Sequence, residues 1–214
     1  MSNNELFSSL KVVADRFISM LHDLYGLYHD ATSGFSLYLK DLQLKSWKDG
    51  QSLIVSNSDP TDKKALILHE ALISDIISRN SKDGENYNKI RRFIIVMISE
   101  HWEHDIREKI ADVFGLKDKD EVKSNIMAEI NKIRQDVLHN RGKVSNCAAN
   151  KMLKFCEGEE LKISEADFFK IFEEIFKYIN DLFSTYTGQT AYPDNSLHQE
   201  AKRKHLSMEH TILR

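Results

Sequence analysis

The chain has 214 residues, room for one large domain or two small ones, and its 41% hydrophobic content is enough to bury a core. A formal net charge of −3 excludes the globally basic footprint of a protein that coats nucleic acid, so any RNA contact must be local. With only two prolines and eight glycines beside abundant Leu, Ile, Lys and Glu, long helices are expected and an all-β chain is excluded.

In chain order, Leu10, Val13, Phe17, Met20, Leu21 and Leu24 recur at helical spacing, predicting an amphipathic helix over Glu5–Ala31 with its exit at Gly34. The pattern then loosens, and Ser52-Leu-Ile-Val-Ser56 reads as a short strand or an extended connection, an excursion centred on residues 47–57. Asp59, Pro60 and Asp62 have the form of a helix start, so a second helix is predicted from there to Arg79, burying Leu68, Leu72, Ile73, Ile76 and Ile77. Ser81-Lys-Asp-Gly84 is a turn cluster. Glu85–Phe114 is apolar around most of its circumference and is expected to be the buried central helix, stopped by Gly115 with Leu116 behind it.

Val122, Ile126, Ile130, Ile133 and Val137 predict a helix over Asp118–His139, stopped by Gly142. The clearest start signal follows at Ser164, with Asp167 completing a capping box and Ile163 able to staple onto Phe168. Phe168, Phe172, Ile175, Ile179 and Leu182 continue that helix as one stripe. The expectation is one all-α domain over residues 1–186, about five long helices with the motif-bearing part at 85–186, and a polar tail or accessory helix over 187–214.

The polar and acidic start at Met1-Ser-Asn-Asn-Glu gives the expectation of no signal peptide, and the longest apolar run, Phe93–Ile98, is too short to span a bilayer. Cys147 and Cys156 fit neither a disulfide framework nor a metal pattern, which suits a reducing compartment. A cytoplasmic protein with no membrane partner is expected. No Gly-rich phosphate loop, nucleophile elbow or catalytic cysteine arrangement is present in the sequence.

One run carries chemistry: Ile133-Arg-Gln-Asp-Val-Leu-His-Asn-Arg-Gly142 places Arg134 five residues before His139 at a helix end. Arginine stabilises an oxyanion and histidine moves protons near neutral pH. Five residues along an ideal helix is a rotation of about 140° with a rise of about 7.5 Å, so the two side chains form a ridge with Gln135 between them. Such a ridge cannot surround a phosphate unless the helix end unwinds or a second copy faces it, with Lys132, Arg141 and Lys143 adding positive charge. The competing reading pairs Arg134 with Glu129 or Asp136 and leaves His139 to finish the helix. On the preceding helix, Glu100, His101, Glu103 and His104 invite a metal reading but lack a third or fourth ligand. The alternatives are a solvated flank in which Glu103 pairs with Arg107, or orientation of Arg134 from that helix.

The string from Ile130 to Gly142, together with Ser99–Arg107 and the helix from Ser164 to Phe183, resembles the HEPN superfamily of prokaryotic ribonucleases and nucleotide-binding domains over about Tyr87–Phe183. The resemblance implies a HEPN-like helical bundle that dimerises along its motif helices. Arg134 and His139 of both subunits would then cleave RNA without metal or cofactor, in a toxin–antitoxin or phage-defence setting with an antitoxin or other defence protein as partner. Gln135, Asn140, Arg141, Lys143, Glu103 and Arg107 are the expected supporting or RNA-contacting residues. A catalytically inactive RNA-, nucleotide- or protein-binding module is the alternative. Family members silenced by tyrosine modification carry tyrosine two places after the histidine, where this chain has Arg141.

Overall fold

A computed structural model describes residues 2–145, 153 and 155–192. Cys147 and residues 193–214 of the expected tail lie outside the described residues. The protein is mostly helical, 66% of it, with one small two-stranded sheet.

Helix α1 (Asn3–Gln43) starts at Ser2, whose hydroxyl accepts from the Glu5 amide while the Glu5 carboxylate accepts from the Ser2 amide at 2.7 Å. It buries Leu10, Val13, Phe17, Leu21, Leu24 and Tyr28. The expected exit at Gly34 does not occur, and the helix runs 41 residues. A helical glycine costs only about 1 kcal/mol relative to alanine, and tertiary contacts override it. The Tyr87 hydroxyl lies 2.8 Å from Ser36 Oγ and donates to the Thr32 carbonyl at 3.2 Å, while Leu42 packs into a small second core with Ile73 and Ile76.

The predicted helix from Asp59 to Arg79 is replaced by an antiparallel hairpin, β1 (Ser52–Ser56) and β2 (Ile67–Leu72), followed by the short α2 (Ile73–Asn80). Its start signals serve turns: Asp59 accepts from the Thr61 amide at 2.9 Å, Asp62 from the Lys64 amide at 2.9 Å and Asn57 from the Leu66 amide at 2.8 Å. Asp and Asn bond their own following backbone as readily as they cap a helix. Of the apolar set expected on that helix, Ile73 and Ile76 are buried, whereas Leu68 and Leu72 stand on the exposed hairpin.

Helix α3 (Glu85–His101), a π-helical turn (Trp102–Ile106) and α4 (Arg107–Phe114) form one continuous rod. Gly115, left-handed at φ 67°, ends it, and the Leu116 amide returns to the Ala111 carbonyl at 2.9 Å. Ile94, Ile95, Ile98 and Trp102 are buried, but Phe93 is 48% exposed, so one face of this helix stays open where a fully buried helix was expected.

Helix α5 (Asn125–His139) begins seven residues later than expected. Asp118 and Glu121 close their own 3-10 turn, Val122 is extended, and Ser124 supplies the helix cap. Helix α6 (Glu165–Thr187) has the predicted capping box at Ser164 and Asp167. Phe168, Phe172, Ile175 and Ile179 of its stripe reach the core, with Phe183 rather than Leu182 as the buried residue of the last turns. The main core joins α1, α3, α4, α5 and α6. Among the described residues no helix is long and apolar enough to cross a membrane.

Candidate functional site

Two contacts set α3 and α5 side by side and antiparallel. Arg134 of α5 ion-pairs through Nε with Glu100 of α3, and Arg92 of α3 lies against Gly142 just beyond α5. Leu138 follows Arg134 on one line of α5, and Met97 and Phe93 precede Glu100 on one line of α3, so these lines run together. Leu138 is 50% exposed and Phe93 48%, an uncovered apolar strip along these two lines.

Arg134 pairs with Glu100, the other oxygen of which lies 3.4 Å from His104 Nε2, while Asp136 is engaged by Lys132, Asn140 and Ser145. Glu103 and Arg107 do pair, at 2.9 Å. Their further contacts run away from Arg134: Arg107 reaches Asp120 at 3.0 Å and the Val122 carbonyl at 3.2 Å, and Lys119 donates to the Glu103 carbonyl at 2.8 Å. The Lys119 ammonium thus adds a donor to a carbonyl of the π-helical turn. Glu103 and Arg107 therefore brace the π turn to the following loop. Among the described residues, no group of three His, Cys, Asp or Glu side chains is placed to hold a metal ion.

The end of α5 is organised by Asp136, which is fully buried at 0% exposure. Its Oδ1 accepts from Lys132 Nζ at 3.2 Å, Asn140 Nδ2 at 2.9 Å, the Ser145 amide at 3.2 Å and Ser145 Oγ at 2.6 Å. Its carbonyl accepts from the amides of Asn140 at 3.3 Å and Gly142 at 2.9 Å. Burial pushes the Asp136 carboxyl up, but the hydrogen bonds from Ser145, Asn140 and Lys132 and the lysine charge outweigh it and hold it below the usual aspartate value.

Beyond His139 the chain turns through two left-handed residues, Arg141 at φ 55° and Gly142 at φ 74°. A Cβ at Gly142 would lie 2.8 Å from Arg92 Nη1, so glycine suits both the left-handed backbone and the close approach of the Arg92 side chain. The Gly142 carbonyl accepts from the Leu161 amide at 2.7 Å, the Leu161 carbonyl accepts from Arg92 Nε at 2.8 Å, and Lys143 bridges to Glu160. The turn is thus clamped from both sides.

Against this frame His139 and Gln135 are exposed, and neither side chain makes a hydrogen bond or ion pair with another described residue. Arg134 is partly exposed, at 25%. Arg141 and Lys143 are exposed beside them. The Asn140 side chain and Lys132 are already engaged by Asp136, so the structure commits both to holding the turn. The chain leaves the helix over residues 140–142, as one expectation had it, but His139 itself stays in the last helical turn and is not swung back by that turn. One cleft of about 650 Å³ lies between the α2–α3 turn and the start of α6, and another of about 340 Å³ is lined by Phe35, Ile90 and the Phe93 of the uncovered strip; neither is lined by Arg134 or His139.

Sequence reasoning missed Asp136 as an organiser, whereas the orientation of Arg134 from the preceding helix was among its expectations, and the structure singles out Glu100 from that cluster. An acid in the last turn of a helix opposes the helix dipole, and that conflict was the available signal for Asp136. Comparison with protein-family models, with curated proteins and with solved structures gives no match.

Proposed function

We propose that this protein is a metal-independent endoribonuclease of the HEPN type, with a composite site built from Arg134 and His139 of two copies facing each other. The observation that carries the reading is the exposed face of α5. It presents Arg134, Gln135 and His139 beside an uncovered apolar strip, on a helix end clamped by Asp136, Gly142 and Arg92.

The chemistry suits those two residues. RNA supplies its own nucleophile in the 2′-hydroxyl, so the protein need only bind the phosphate, move a proton and offset developing charge. His139 takes the proton from the 2′-hydroxyl or gives one to the departing 5′ oxygen, and two copies allow the two histidines to share these tasks. Arg134 binds the scissile phosphate and offsets its growing negative charge. A single copy offers a ridge, while an isologous pair across Phe93 and Leu138 gives two arginines and two histidines around one cleft.

The test is purified protein on labelled RNA in EDTA. Wild type cuts the RNA, and Arg134→Ala and His139→Ala each lower the rate by about 10²-fold or more. Intact RNA with wild type, or unchanged cleavage by both variants, overturns the proposal.

A further inference from the structure

We infer that Glu100 is the positioning residue for Arg134, holding the guanidinium by its Nε edge so that its Nη1–Nη2 edge stays free to fork a phosphodiester. The inference rests on the ribonuclease reading above. A guanidinium is a planar fork of five N–H donors, and it grips a carboxylate or phosphate through two N–H groups on one edge. Here the Glu100 Oε1 accepts from Nε, so this contact leaves the Nη1–Nη2 edge unoccupied by Glu100.

The other carboxylate oxygen has a neighbour of its own: Oε2 lies 3.4 Å from His104 Nε2, one helical turn further along the rod. The backbone beneath it is anchored by Trp102, buried at 2% exposure, with ring contacts to Phe17 at 5.8 Å and Tyr178 at 5.6 Å. Lys119 secures the π turn that follows. Arg134 is therefore held between a rigid segment of α3 and its own helix, with the phosphate-binding edge turned from its anchor.

Because the role is one of aim, an acceptor oxygen at residue 100 matters more than its charge. Glu100→Gln keeps that acceptor, and Glu100→Ala removes it. Misplacement of a binding group by about 1 Å costs roughly 10²-fold in rate. Glu100→Ala is expected to lose about that factor in kcat on labelled RNA, and Glu100→Gln to retain cleavage within a few fold of wild type. A second readout does not depend on turnover: the Arg134 Nε–Hε signal in a ¹H–¹⁵N spectrum, assigned by its disappearance in Arg134→Lys. That signal is slow to exchange with solvent in wild type and Glu100→Gln, and exchanges fast in Glu100→Ala.

Arg134→Ala without activity beside a fully active Glu100→Ala overturns this inference and leaves the ribonuclease reading standing. A protected Arg134 signal in Glu100→Ala also overturns it. Wild-type protein that leaves RNA intact overturns the parent reading, and the positioning role with it.

Discussion

Asp136 keeps its charge where water does not reach, because four hydrogen bonds converge on one of its oxygens. Removing that charge with Asp136→Asn is expected to cost about 2 kcal/mol, the scale of a hydrogen-bonded buried charge, and to lower the melting temperature. The pH dependence follows from the direction of the shift. A carboxyl held below its unfolded value contributes stability that is complete above the unfolded pKa, about 3.9, and is lost as pH falls through the folded value. The melting-temperature gap between wild type and Asp136→Asn should therefore be constant from pH 7 to about 5 and shrink below about 4. A gap that widens on acidification would contradict the assignment. At Gly142 the backbone sits at φ 74° with the Arg92 guanidinium where a Cβ would go. Gly142→Ala should cost about 1–3 kcal/mol in denaturant titrations, by strain and by pushing Arg92 from the Leu161 carbonyl.

At the scale of elements, periodicity located the helices where one face meets the core, and failed where polar residues had a local alternative. The stripe of α6 and its Ser164–Asp167 box were legible because pattern and cap agree. Asp59 and Asp118 misled for one reason: each has cap chemistry but spends it on a short turn, so the helix begins later, at Ile73 and at Asn125. Gly34 misled in the opposite sense, since the contacts that carry α1 past it come from Tyr87, distant in sequence. The motif ridge was legible from helix geometry alone. Its supports were legible in part: orientation from the preceding helix was expected, but not which acid of that cluster supplies it, nor Arg92, because the contacts cross between helices and the π turn leaves no spacing signature. Where cap and pattern agree, the cap should carry measurable stability: Ser164→Ala is expected to destabilise the protein by about 1 kcal/mol in denaturant unfolding, and no change would mean that α6 is held by its core stripe alone.

For the whole molecule, the balance of charge and surface matters more than any one contact. The net charge of −3 gives no general attraction to RNA, so the proposed site has to gather its cations by pairing two copies. The paired molecule should show a solution mass near twice 24.8 kDa, and Leu138→Lys, which puts a charge into the uncovered strip, should shift it toward the single-chain mass and lower cleavage in parallel. A wild-type mass equal to one chain would remove the composite site. The most direct measurement is the chemistry of the cut ends. Attack by the 2′-hydroxyl leaves a 2′,3′-cyclic phosphate, so wild-type protein in EDTA should release fragments bearing that end, and His139→Ala should not. Fragments with a 3′-hydroxyl, or cyclic ends produced equally well by His139→Ala, would contradict the account.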